Sequence, residues 1–215
     1  MLPIRDFRPT RIFPVVTYTI IAVNILVFVF EVFIDFTGNL EWFYYEFATV
    51  PYYIMNGQKL YTLVTAMFLH GGFAHIFFNM LYMYIFGNNV EDSMGSKRFF
   101  FFYLLCGLLA SFAHIAIDPS SDIPTLGASG AIAGVLGAYM VLYPKERIDA
   151  LLGWYYVRVP AIVVLLSWFV LQLFSGFLSL GAVSQGGVAF FAHIGGFVAG
   201  VILIFIFRKR QRDQW

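Results

Sequence analysis

Long apolar runs alternate with short polar breaks along this chain. Six runs separate: Phe13–Ile34, Leu60–Val90, Phe99–Ile117, Leu126–Tyr143, Val159–Leu180 and Gly187–Phe207. Pro14 opens the first, Asp35 and Gly38 close it, and His70-Gly71-Gly72 interrupts the outer part of the second. Runs of about 20 residues suit a hydrocarbon core ~30 Å thick at 1.5 Å rise per residue. In lipid each segment must satisfy its own backbone hydrogen bonds, so the pattern predicts helices throughout. The expected fold is an all-α membrane protein, a bundle of six transmembrane helices forming one domain over residues 1–215.

Composition agrees. Of 215 residues, 60% are apolar or aromatic and 12% charged, and the mean hydropathy is +0.80. Soluble domains carry about 25% charged residues, and a soluble chain of this length could not hide so much apolar surface. Disorder fails on the same count, because disordered chains are apolar-poor.

The net charge of +1 says nothing of partners, but its distribution sets a topology. Arg5, Arg8 and Arg11 precede the first run; Lys97 and Arg98 follow the second. Lys145, Arg147 and Arg158 follow the fourth, and Arg208, Lys209, Arg210 and Arg212 follow the sixth. Thus 12 of 13 basic residues fall on alternate breaks that share one face, and only Lys59 lies on the other. Basic residues gather on the cytoplasmic side, so both termini are expected there, in a multi-pass protein of the plasma (cell inner) membrane. The basic N-terminus resembles a signal peptide, but its apolar run is too long and lacks a small-residue cleavage site. The lone Cys106 implies neither disulfide nor thiolate metal site. Residues 36–59, rich in Trp and Tyr, are expected to lie at the headgroup level.

Polar groups inside spans are expensive and usually face an interior or a water-filled cavity. Here they are His70, His75 and Asn79 in the second run, His114 in the third, Ser129 in the fourth and His193 in the sixth. Ser167, Gln172 and Ser175 in the fifth are read as structural, because membrane serines often bond back to their own turn. Cys106 and His114 are read as packing residues. Ser129 and His193 each stand 14 residues from the basic end of their run, ~21 Å along a helix. Level with each other, they can form a nucleophile–base pair if their helices touch. Gly130/Gly134 and Gly196/Gly200 are small-xxx-small spacings that permit such contact, with Gly127, Gly137 and Gly195 nearby. Ser129 starts its helix in Gly-Ala-Ser-Gly, where free N–H groups favour negative charge. His75 and Asn79, at i and i+4, project from one face and can donate to an oxyanion. His70 falls on the opposite side, as a structural residue of the loop–helix junction. His70 and His75 lack the spacing and intervening Glu of a zinc helix, and Glu31 is the one carboxylate within a run. Neither metal nor other cofactor is expected, and serine chemistry would run on a dyad with His193 oriented by packing.

These residues resemble the rhomboid family of intramembrane serine proteases. The nucleophile motif GxSG is Gly127-Ala128-Ser129-Gly130, and AHxxGxxxG runs from Ala192 and His193 through Gly196 to Gly200. HxxxxHxxxN is His70, His75 and Asn79. The resemblance spans Ile12 to Phe207 and implies a minimal six-span, prokaryotic-type core. It further implies that Ser129 attacks a peptide carbonyl, that His193 acts as base and then acid, and that the Ser129 N–H, His75 and Asn79 hold the oxyanion. Substrates would be single-span membrane proteins cut near the outer end of the span; membrane lipids would be the other partners, with no nucleic acid.

Two positions depart from the family pattern. Tyr61-Thr62 replaces a Trp-Arg pair common in the first outer loop, and Ala133 stands where some members pack an aromatic under the imidazole. Another group must then orient His193. Two other readings compete. A proteolytically inactive rhomboid-like binder would typically have lost the serine or histidine, and both are present. A transporter or channel would line its path with His75, Asn79 and His193; the absence of repeats, of broken helix pairs and of intramembrane carboxylates other than Glu31 counts against it.

Overall fold

The computed structural model describes residues 1–179 and 189–209. The expected span ends Leu180 and Gly187, and the basic residues Arg210 and Arg212, lie outside the described residues. The chain opens with strand β1 (Leu2–Asp6) and helix α1 (Val15–Phe36), followed by short helices α2 (Leu40–Phe47) and α3 (Pro51–Met55). The second apolar run divides into α4 (Thr62–Thr65) with a 3₁₀ turn to Phe68, α5 (Phe73–Tyr82), a π-helical turn (Met83–Gly87) and α6 (Asn88–Met94). Then come α7 (Ser96–Ile115), α8 (Ser129–Leu142), strands β2 (Arg147–Leu152) and β3 (Tyr155–Pro160), α9 (Ala161–Ser179) and α10 (Phe190–Phe207).

The structure is a mostly helical membrane bundle, as expected. Helices α1, α7, α9 and α10 are each long and apolar enough to cross a bilayer. In α1 the buried residues Thr17, Ile20, Asn24, Phe28 and Glu31 recur every three or four positions, a single inward stripe. Leu26, Val29 and Phe33 are exposed on the other faces, as suits contact with lipid. Helix α8 differs: Gly130 through Tyr139 are all buried, so protein encloses it on every side. With 14 residues it is shorter than a full span. It packs most extensively on α10, and α7 packs against both.

The second run is not continuous. The segments Thr62–Phe68 and Phe73–Met94 meet at a 93° bend. The expectation of no broken helix pair is therefore corrected. Apolarity alone hides the break, which lies where Gly72 adopts φ 152°. Glu31, buried in α1, holds the bend: both carboxylate oxygens accept the His70 backbone N–H, at 3.0 and 3.1 Å.

A second departure lies at the basic end. Strands β1, β2 and β3 form an antiparallel sheet in that order, with Leu2 opposite Leu151 and Arg147 opposite Pro160. Val159, expected to begin the fifth span, belongs to β3, and the helix starts two residues later, at Ala161. The sheet is tied to the bundle by Asp6, whose carboxylate accepts from the Asn89 amide and from the Tyr139 hydroxyl at 3.1 Å. Glu91 of α6 receives the Val16 and Thr17 N–H groups at 3.0 and 2.8 Å. This supplies acceptors and negative charge to the otherwise unsatisfied start of α1.

Candidate active site

Ser129 is the first residue of α8. The chain reaches it through a pinned loop: Thr125 exchanges backbone hydrogen bonds with Thr49, and the Gly127 N–H donates to the Ala66 carbonyl at 2.8 Å. Gly127 has φ +130°, and a β-carbon there would stand 2.8 Å from the His75 ring. Both conditions demand glycine. The loop thus lays the start of α8 beside α5.

His193 sits one turn into α10. Its Nε2 lies 2.7 Å from Ser129 Oγ, within hydrogen-bond distance. The helices come this close because Gly196 and Gly200 of α10 rest on the carbonyl oxygens of Gly130 and Gly134 of α8, where a β-carbon would overlap. Gly134 in turn meets Cys106 of α7, so that buried cysteine packs as the sequence suggests.

His75 and Asn79 lie on α5 and, with Ser129 and His193, line one cavity of about 970 Å³. The Asn79 side-chain nitrogen is buried with no hydrogen-bond partner among the described residues. His75 Nδ1 accepts the Gly71 N–H at 3.3 Å. His70 precedes α5 in the bend, fully buried, its ring 5.0 Å from that of His75. His114, read from sequence as packing, lines the same cavity and bonds Thr125 Oγ1 through Nε2 at 3.0 Å.

The site holds a residue that the sequence reading set aside. Gln172 of α9, expected to be structural, places Oε1 2.9 Å from His193 Nδ1. Trp168, one turn earlier on α9, lies against the same imidazole, ring centroids 5.9 Å apart. His193 is therefore held by a polar partner as well as by packing, and both supports come from α9. Ser167 does bond back to its own helix, donating to the Val164 carbonyl at 2.9 Å. Only an i, i+4 Trp/Gln pair facing inward marks Gln172 in the sequence, and which way α9 faces is not local information. Among the described residues no three His, Cys, Asp or Glu side chains converge as metal ligands.

Comparison with known proteins shows the family. Residues 57–210 match the family model of the Rhomboid domain. The chain belongs to the rhomboid family. The putative rhomboid protease YdcA of Bacillus subtilis is 30% identical over 162 residues, covering 74% of this chain and 73% of that protein. Rhomboid protease GluP of the same organism is 32% identical over 189 residues, 87% of this chain and 34% of that one. RHOMBOID-like protein 5 of Arabidopsis thaliana is 32% identical over 161 residues, 74% of this chain and 47% of that protein. The chain spans about half the length of that plant rhomboid. Family and apolar helices together make it a multi-pass integral membrane protein.

In rhomboid terms, Tyr61-Thr62 leaves the loop between α1 and α4 held by other groups. Lys59 Nζ bonds Glu46 at 2.6 Å. The Tyr61 hydroxyl donates to the same carboxylate and lies 3.1 Å from the Glu46 carbonyl. Thr62 accepts through its carbonyl from Thr49 Oγ1 at 2.9 Å. Lys59 and Tyr61, by donating to the Glu46 carboxylate, hold it below the usual carboxylate range.

Proposed function

We propose that the chain is an intramembrane serine endopeptidase, a single membrane domain over residues 1–215 that cuts single-span membrane proteins near the outer end of their spans. The observation that carries this reading is the 2.7 Å approach of His193 Nε2 to Ser129 Oγ at the wall of a cavity. A weak nucleophile is activated when an adjacent base accepts its proton as it attacks. Ser129 Oγ forms the bond to the peptide carbonyl while its proton passes to His193 Nε2. The same proton then passes to the leaving amine as the C–N bond breaks, and water releases the acyl group by the reverse proton path. Asn79 Nδ2, His75 and the Ser129 N–H are the oxyanion donors in this reading. Preorganised donors of this kind contribute about 2.7–4 kcal/mol each.

The cavity also supports a supply of water in a bundle otherwise closed to it. The basic end, with the sheet and both chain termini, faces the cytoplasm in this proposal, and the cavity faces out. The plasma or inner membrane is the proposed location. The test is labelling of the purified protein in detergent by a fluorophosphonate, comparing wild type with Ser129→Ala and His193→Ala. Wild type labels and neither variant does; labelling that survives Ser129→Ala overturns the assignment.

A further inference from the structure

Catalysis by a serine–histidine pair sets a condition on the imidazole. Nε2 must be bare when Ser129 donates to it, so the ring proton must sit on Nδ1. An isolated imidazole distributes its proton between the two nitrogens, and the hydrogen bond made by one decides the state of the other. Packing against an apolar surface cannot make that choice, because it does not distinguish the tautomers. His193 Nδ1 faces the side-chain oxygen of Gln172 at 2.9 Å, and an amide oxygen accepts but never donates.

We infer that Gln172 is a positioning residue for the proteolytic reaction, holding His193 in the Nδ1–H tautomer and aiming its Nε2 at Ser129. The inference rests on the serine–histidine reading above. It adds a neutral third member to the pair, supplied by α9. The proton balance is complete without it: one proton travels from Ser129 Oγ to Nε2 and on to the leaving amine, while the Nδ1 proton stays in place. The amide gains no proton. Its contribution grows when the ring is cationic, because a charged donor makes the stronger hydrogen bond.

A second contact on the same helix face supports the assignment. Trp168 and Gln172 are four residues apart, so they stand one above the other on α9. The indole lies against the imidazole, with the planes tilted by 38°, while the amide takes its edge. Together they restrict the ring's tilt and its rotation. Ala133, with only a methyl group, cannot support the imidazole from α8. The orientation of the amide matters: with its NH₂ group toward Nδ1, Gln172 would select the wrong tautomer.

The test uses the full chain in detergent, measuring the rate of fluorophosphonate labelling and the cleavage of a single-span model substrate. Ser129→Ala and His193→Ala serve as references; labelling that survives either overturns the dyad, whatever Gln172 does. With the dyad upheld, Gln172→Met keeps the side chain's length and removes the acceptor. Labelling rate and kcat are expected to fall about 10- to 100-fold, the range for a hydrogen bond to a group that becomes charged. KM and Tm should stay near wild type. Gln172→Glu restores an acceptor and should recover most of the rate, an outcome that also decides the matter should the Met variant fold poorly. Wild-type labelling by Gln172→Met, or a loss in Gln172→Glu as deep as in Gln172→Met, overturns the inference.

Discussion

The α-carbon of Gly196 rests against the carbonyl oxygen of Gly130, leaving no room for a side chain between them. One residue before Gly130 is Ser129, and one turn before Gly196 is His193. The separation of the proposed nucleophile and base is thus set by contact between two main chains. Interiors transmit strain because they are close-packed, so a methyl group at this point must move one helix. Gly196→Ala is expected to lower thermal stability by ~1–3 kcal/mol, the usual cost of overpacking. A shift of ~1 Å between reacting atoms can cost about 100-fold in rate, so labelling should fall even in the folded fraction. Unchanged labelling at the concentration of folded protein would show that the ring can follow the serine.

Asn79→Ala removes a buried donor that has no partner among the described residues. A donor reserved for the transition state acts on kcat and leaves substrate affinity largely alone. We expect kcat to fall about 100- to 1000-fold, the range for one oxyanion-hole donor, with KM little changed. Full kinetic curves on a model substrate separate the two. A rise in KM at constant kcat would assign Asn79 to substrate binding instead.

Asp6 ties the sheet to Tyr139 and Asn89. Burial raises its carboxyl to about 6 from an ordinary value of 3.8. The folded state therefore holds this proton more tightly than the unfolded chain, so its contribution favours folding below the ordinary value. That contribution declines as pH rises towards about 6. Asp6→Asn keeps a carbonyl acceptor for Tyr139 and does not titrate. Its Tm should vary less between pH 4 and 6.5 than that of wild type, and at pH 7.5 it should equal or exceed it. A steeper profile in the variant would refute the account.

In the loop between α1 and α4, Glu46 carries the opposite sign. Its depressed titration, caused by Lys59 and Tyr61, means the clasp is intact above the ordinary carboxylate range and opens as pH falls through the lowered value. Glu46→Gln should raise the rate of limited proteolysis within residues 36–62 at neutral pH, with little effect on global unfolding. Equal cleavage in the two proteins would show that Thr49 and Thr62 hold the loop unaided.

The placement of the candidate site residues was more legible than the architecture around them. Ser129 and His193 could be matched because membrane helices have a common starting plane, so counting residues measures depth. His75 and Asn79 followed from helical periodicity. Gln172 did not, since Ser167, Gln172 and Ser175 are among the few polar residues of an otherwise apolar α9, and membrane serines that bond back to their own turn make such residues look structural. The strands escaped for another reason: β1 pairs with β2 across some 140 residues of chain, and such a pairing leaves no local period. The bend before α5 was visible as His-Gly-Gly, but its 93° angle depends on Glu31 reaching across from α1.

Helix α8 runs for 14 residues, Ser129–Leu142, a rise of ~21 Å against a hydrocarbon core of ~30 Å. If its far end is level with the membrane surface, the serine stands about 9 Å short of the opposite one. A target helix that arrives through the bilayer keeps its carbonyls engaged in its own hydrogen bonds and cannot present one at that depth without letting go of several. The cleavage rate would then report how readily a guest's backbone frays. Two substrates with identical residues at the cut could differ widely in rate if one is stiffened a turn away. Selection by such a protein would fall on conformational stability before it fell on sequence.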